Sequence, residues 1–406
     1  MSRQGAVVRS QWSPRVAAFL PLAAPNGKDA LMRVALVTEY YFPHLGGVTE
    51  HVHNLAKLLN RWGHPTTVIT AHMAVPSRGA DPGESYEDAP FVRRLGHSRV
   101  IYSAGSFARV TTGRGLRRQV QQILRDEKID VVHVHGGLAP VLGLVAPAAA
   151  HELGIPAVAT FHSWFKRSAL LGIFRGPLQR RLDRHAAAIA VSQPVVEAHS
   201  RYLKADWQII PNGVDTDFFR PQERYPASRP PELLFLGRLD PRNGLDTILS
   251  AMPAVLARVP DARLTIAGDG PLRPMYERMA RSTGRQVSFV GRVNGNRPTY
   301  YSQADLYLCP TTMASFGVTL LEAMACGTPL LVSDITGFRE LVGGGDEAVM
   351  VQKNDPAAWA DAIIALLSDE SRRRAMGAAG LTKSEGFAWP RIAEQVMGVY
   401  HRVLGC

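Results

Sequence analysis

Several short segments of this chain carry residue types whose spacing suits work on an anionic ligand. In Ala314–Pro329, the run Ser315-Phe316-Gly317-Val318-Thr319 reads as a loop entering a helix, and Glu322 lies about one turn further in. The first N–H groups of a helix have no partners within it, so this start suits an anion such as a diphosphate. Glu322 is placed to accept hydrogen bonds from a sugar hydroxyl in the same pocket. A second loop, Pro43-His44-Leu45-Gly46-Gly47-Val48, runs from a strand into a helix. Its two glycines allow close approach of backbone to a phosphate or sugar. The spacing is not Gly-x-Gly-x-x-Gly, so no dinucleotide fingerprint is present. His162 stands just past a strand-like run. His133 and His135 alternate on another strand, and only His135, at the strand end, is expected to face a cleft.

The elements that must hold these residues are short β-branched runs alternating with helical patterns. Arg33–Thr38, Thr66–Thr70, Val131–His135, Ala157–Thr160, Ala187–Val191 and Gln208–Ile210 read as buried strands, with helices such as Glu50–Trp62 and Leu116–Lys128 between them. A polar, proline-rich stretch over 220–232 reads as a linker. A second alternating set follows at Leu233–Leu236, Arg263–Ala267, Val287–Val290, Leu306–Cys309 and Leu330–Ser333, and Pro390–Leu404 reads as one amphipathic helix. Such alternation implies parallel sheets covered by helices. The expected organisation is an extension over 1–31, one doubly wound domain over 32–222, a second over 223–386, and a terminal helix over 387–406. Ligands of two such domains bind in the cleft at the carboxyl ends of their strands.

Composition narrows the class. The chain has 406 residues, too many for one ordinary core, and is 46% hydrophobic and 20% charged, which marks a folded globular protein. Its three cysteines, Cys309, Cys326 and Cys406, have no paired spacing, so neither a disulfide framework nor a zinc site is expected, and a reducing cytoplasmic location is. No apolar run reaches the ~18–20 residues that span a bilayer. Residues 1–31 make a poor signal peptide, with Pro14 and Pro21 bracketing the apolar patch. They are expected to be a disordered extension or to precede a true start at Met32. The net charge of +11 is uneven: residues 32–222 hold +7 and residues 223–406 only +1. Clusters around Arg114, Arg117 and Arg118, and over Lys166–Arg184, make the first half a basic face suited to anionic partners.

The motifs, in their order and spacing, resemble family 4 retaining glycosyltransferases of the GT-B fold across residues 32–404. The resemblance rests on Gly46-Gly47, Phe161-His162-Ser163, Pro211-Asn212-Gly213-Val214-Asp215, Gly237-Arg238-Leu239, Gly268-Asp269-Gly270-Pro271, Gly291-Arg292-Val293 and Ser315-Phe316-Gly317 with Glu322. It implies that Arg238 neutralises the leaving diphosphate together with the helix start at Gly317, Val318 and Thr319. It further implies that Glu322 holds the ribose, that Arg292 and Val293 meet the base, and that Gly46-Gly47 caps the donor. His162 would contact the donor sugar near the reacting carbon. Two departures stand out. The family's Glu-x7-Glu pair lacks its first member, Ala314 taking its place, and the family lysine is Asn243, which donates hydrogen bonds but carries no charge. The first half looks closest to enzymes that glycosylate phosphatidylinositol or related lipid carriers, on Tyr40-Tyr41-Phe42-Pro43 and the segments above. A nucleotide-sugar donor, a lipid-linked or glycan acceptor, front-face retaining chemistry and no essential metal are then expected. So is contact of the basic first domain with anionic membrane at its inner face, and nucleic acid is not expected. His135, Tyr41, Arg117 and Arg118 are the acceptor-side candidates. The alternative is a catalytically silent protein of the same fold that binds a nucleotide sugar or partners an active transferase. A non-hydrolysing epimerase of this fold fits the Gly-Arg-Leu and Ser-Phe-Gly elements less well.

Overall fold

The structure is a computed structural model that describes residues 31–44, 46–73, 88–103, 106–138, 141–223 and 229–405. The extension expected over 1–31 lies outside these residues except for Leu31. The first sheet holds β1 (Val34–Thr38), β2 (Thr66–His72), β3 (Val92–Ser103), β4 (Ser106–Thr112), β5 (Val131–His135), β6 (Ala157–Phe161), β7 (Ala187–Ala190) and β8 (Trp207–Ile209), in the order β4-β3-β2-β1-β5-β6-β7-β8. All neighbours are parallel except the β3–β4 hairpin. The second sheet holds β9 (Glu232–Leu236), β10 (Arg263–Ala267), β11 (Val287–Gly291), β12 (Leu306–Cys309), β13 (Leu330–Ser333) and β14 (Ala348–Val351), ordered β11-β10-β9-β12-β13-β14 and wholly parallel. Strand direction of build-up reverses beside β1 in one sheet and beside β9 in the other. Their carboxyl ends are the ligand positions of doubly wound sheets, and the Gly46-Gly47 and Arg238 loops leave from them.

Central strands such as β1 and β5 are buried along their whole length, as continuous apolar runs require when helices cover both faces. The strands that sequence reading passed over are β3, β4 and β14. β3 and β4 form the sheet edge, and their Arg, His, Ser and Thr content breaks the apolar run that marks a central strand. β14 is a four-residue edge strand.

Two chain crossings join the domains, and they pair with each other. Val214 N–H donates to Phe387 O at 2.9 Å, and Trp389 N–H to Val214 O at 3.1 Å. Gly213 is required here, because a Cβ would lie 2.7 Å from the Trp389 ring. The second crossing leads into the helix Trp389–Leu404, whose Trp389, Ile392, Val396 and Tyr400 pack with Val34, Leu36, Leu55 and Leu59 of the first domain. Large apolar side chains buried this way contribute about 1.5–3 kcal/mol each. Another apolar cluster runs between domains, with Phe161, Val191 and Val195 on one side and Phe316, Leu320 and Phe338 on the other. No helix among the described residues is long and apolar enough to cross a membrane.

Candidate active site

The second domain's share of the site begins at the helix Val318–Ala325. Gly317 precedes it at φ 114°, a left-handed conformation that suits glycine, and no side chain caps the first turn. A Cβ on Gly47 would lie 3.5 Å from Val318 Cγ2, so the Gly46-Gly47 turn sits directly over this helix start. Gly46 ends the loop and Gly47 opens the helix Gly47–Arg61. The two glycine elements named from sequence thus meet across the cleft.

Their neighbours in the motif have other occupations. Ser315 Oγ accepts the Trp164 N–H at 2.8 Å, and Ser315 O accepts the Ser192 hydroxyl at 2.7 Å, so this residue fastens one domain to the other. Phe316 is buried in the interdomain core, its ring 6.0 Å from that of Phe387. Val293 is half-buried against the same cluster. Thr319 is half-buried. Glu322 is buried with both oxygens engaged: Oε1 pairs with Arg297 Nη1 at 2.6 Å and Oε2 accepts the Tyr301 hydroxyl at 2.9 Å. Burial pushes the Glu322 carboxyl up to about 7, against the pull of Arg297. Arg297 was not singled out from sequence, because nothing local distinguishes it from other exposed-looking arginines.

Cations gather on the other side of the glycine turn. Arg238 is 53% exposed and lies 3.8 Å from Asp240, which Arg242 approaches at 3.9 Å. Asn243, in the 3₁₀ turn Pro241–Asn243, donates its Nδ2 to Arg238 O at 2.7 Å and so braces the loop that carries Arg238. Arg292 is exposed just past β11. His44 records their convergence. Burial pulls its pKa down to about 4, and the charges of Arg109, Arg238 and Arg292 push the same way. Arg109, like Arg297, was missed from sequence. It belongs to β4, where its N–H donates to Tyr40 OH at 3.2 Å and its Nη1 to Ser98 Oγ at 3.3 Å. Only the edge hairpin brings it to the cleft, so no local pattern announces it.

Four histidines line the floor. His133 and His135 occupy positions i and i+2 of β5, which share a face, and their ring centroids are 4.2 Å apart. Alternation therefore does not separate them; depth does, since His133 is fully buried and His135 stands at the strand end. His133 is bonded on both nitrogens, to Tyr400 OH and Thr160 Oγ1, each at 2.6 Å. His135 Nδ1 meets His162 Nε2 at 3.2 Å, and His51 Nδ1 meets Asn212 Oδ1 at 3.0 Å. Burial first, then the neighbouring rings, hold His135 and His162 well below the ordinary histidine range. A neutral His162 is a weak base and a good hydrogen-bond partner, which favours positioning over proton transfer. One nitrogen from each of His51, His135 and His162 lies within 4.8 Å of the other two, and Nε2 of His51 and of His135 have no partner.

The acceptor-side candidates divide. Tyr41 is corrected: it is buried in the first-domain core with its hydroxyl 2.9 Å from His53 Nδ1. Its neighbour Tyr40 takes the cleft side beside Arg109, since adjacent residues leaving a strand point in opposite directions. Arg117 and Arg118 lie on the solvent face of the helix Leu116–Asp126, opposite its buried Leu116, Val120 and Leu124, and Arg117 pairs with Glu152.

Known proteins place this geometry in context. The profile described as Glycosyltransferase Family 4 matches residues 45–218, and that described as Glycosyl transferases group 1 matches residues 217–383. The phosphatidyl-myo-inositol mannosyltransferase of Mycobacterium tuberculosis is 33% identical over 387 residues, covering 92% of this chain and 98% of its own. A GDP-mannose-dependent alpha-(1-6)-phosphatidylinositol monomannoside mannosyltransferase from the same species is 28% identical, covering 86% and 93%. Among solved structures, sucrose-phosphate synthase from Thermosynechococcus elongatus superposes with a TM-score of 0.68 at 22% identity over 92% of this chain and 99% of its own. Anabaena HepE in complex with UDP gives 0.68 at 17% over 91% and 100%. Two facing doubly wound sheets, a terminal helix returned to the first, and these matches along both halves lead to one assignment: the chain is a glycosyltransferase of family 4 with the GT-B fold.

Proposed function

We propose that the protein transfers a sugar from a nucleoside-diphosphate sugar to a phosphate-bearing lipid, with retention at the anomeric carbon and without an essential metal. The observation that carries this reading is the meeting of the Gly46-Gly47 turn with the uncapped Val318 helix start, with the charges of Arg109, Arg238 and Arg292 acting on His44 in the same loop. Arg238 and the helix start would take the donor diphosphate, whose negative charge grows as the glycosidic bond breaks. Arg109, delivered from the opposite domain, would hold the phosphate of the acceptor. Fixed cations supply charge stabilisation that a divalent ion would otherwise give. The leaving phosphate would accept the acceptor's proton on the face of attack, which asks of His162 placement and not basicity. Relatives named for mannose transfer to phosphatidylinositol support GDP-mannose and an inositol phospholipid as the first pair to assay. The basic face around Arg114, Arg117 and Arg118 would hold the enzyme on anionic membrane.

Ala314 and Asn243 change the pattern without removing Arg238, and the loss of one carboxylate and one cation together leaves the site's charge nearly balanced. The silent-protein reading keeps one observation in its favour: the carboxylate of Glu322 is already held by Arg297 and Tyr301. The deciding experiment incubates the protein with radiolabelled GDP-mannose and, separately, other nucleotide sugars, with phosphatidylinositol vesicles and EDTA. Label in the organic phase is the expected result, with the product linkage assigned by NMR. Donor binding without transfer from any donor would establish the silent protein instead.

A further inference from the structure

One ionic contact spans the cleft in the described structure and belongs to no motif. Arg297, on the helix Arg297–Gln303 of the second domain, reaches Glu322 with Nη1 at 2.6 Å and Glu50 with Nη2 at 2.7 Å. Glu50 comes from the first domain, in the first turn of the helix that the glycine pair opens, and its N–H donates to Gly46 O at 3.1 Å. Glu322 sits on the facing helix, one turn beyond Gly317. The guanidinium also lies 5.0 Å over the ring of Phe219, just past the first chain crossing. A small pocket adjoins the contact, lined among others by Gly47, Glu50, Val318 and Glu322.

A bridge of this kind adds little net stability, because desolvating the charges offsets much of their attraction, but a planar fork held by two carboxylates constrains geometry strongly. Its two ends are the first turn of one and the second turn of the other of the two helices that enclose the donor phosphates in the reading above. We propose that Arg297 is a positioning residue for donor binding: by holding Glu50 and Glu322 together it sets the closed separation of the Gly46-Gly47 turn from the Val318 helix start. Glu50 thereby becomes part of the donor apparatus although it touches no donor atom. The inference rests on the donor site assigned above, but closure can be read without turnover.

Glu50→Gln removes the cross-cleft charge and leaves the Arg297–Glu322 pair intact, whereas Arg297→Met removes both and Arg297→Lys keeps the charge without the fork. Donor KM and kcat with GDP-mannose, calorimetric affinity for GDP and UDP, and small-angle scattering of the free protein are measured for each. Glu50→Gln is expected to raise KM and weaken nucleotide binding about fivefold, with kcat within about twofold, as loss of a binding contact that does not strengthen in the transition state should. Arg297→Met is expected to exceed tenfold, Arg297→Lys to recover part of it, and both Glu50→Gln and Arg297→Met to enlarge the radius of gyration. If Arg297→Met fails to fold, Glu50→Gln alone decides. Native KM, nucleotide affinity and scattering in Glu50→Gln would overturn the proposal and leave a pair internal to the second domain. If no donor turns over, the functional reading falls, while nucleotide affinity and scattering still judge the bridge.

Discussion

The two domains build their halves of the cleft differently. The second contributes contiguous loops, Gly237–Asn243 after β9 and Ala314–Glu322 after β12, with arginines left exposed at the rim. The first assembles its half from four separated segments, holding His44 with His51, Arg109, His135 and His162. Twelve of the thirteen histidines lie before residue 223, and the last, His401, is on the helix that returns to the first domain. One side is a rim of permanent cations; the other is a floor of neutral rings with one cation, Arg109, on its edge hairpin. In the proposed reaction, neutralisation of the donor diphosphate would then fall to the second domain, and acceptor binding by Arg109 with orientation of the reacting groups to the first.

The largest test of that division is Arg238→Ala. Removing one charge-stabilising donor typically costs about 10²–10³ in kcat, and loss in that range, with unchanged thermal stability because the side chain is exposed, is expected in the transfer assay. Arg109→Ala should separate the sides further. Acceptor KM is expected to rise about tenfold, the cost of a charged hydrogen bond, with nucleotide affinity held. An equal loss of GDP affinity would instead assign Arg109 to the donor.

Acid should strike the first domain harder. Burial lowers His51 to about 4 and His133 to about 3, and holds His135 and His162 well below 6.5. For each, the unfolded chain binds a proton that the folded state refuses, so their stability is fully present above pH 6.5 and is lost progressively as pH falls toward the folded values. The slope approaches about 1.4 kcal/mol per pH unit per group at its steepest. Glu322, raised to about 7, and Glu39, Glu232 and Glu340, also raised by burial, run the other way, but they are four groups against eight, since burial lowers His44, His53, His185 and His199 as well. Denaturant titrations at pH 7.5, 6.5 and 5.5 should show falling midpoints. A pH-independent midpoint would remove the histidine floor from the account. The smallest effect is expected for Asn243→Lys. It removes the brace to the Arg238 carbonyl while adding the family's charge, so activity should change by no more than about threefold. A gain of a hundredfold would mark the native chain as a lapsed enzyme.

Much of this site was legible in the sequence wherever function follows from local backbone. The glycines at 46, 47 and 317, the helix start they flank, and Arg238 are read from neighbours in the chain, and the structure joins them across one cleft. The terminal helix was legible through its apolar stripe, which finds the first domain's core. What was not legible depends on burial or on distant pairing. Tyr41 and Tyr40 are alike in sequence, and the turn after β1 decides which is core. Arg109 reaches the cleft through an edge hairpin whose polar strands leave no apolar signature.

The amino-acid order alone therefore determined the two alternating β/α sets and the glycine turns, because hydrophobic periodicity and φ constraints act over a few residues, and the resemblance of its motifs pointed to the family. Tertiary structure alone decided that Glu322 is gripped by Arg297, that Ser315 and Phe316 join domains, and that four histidines share one neutral floor. Each of those depends on which charges and rings meet after the chain has crossed twice between domains, and on how much water is excluded where they meet. No local pattern encodes either.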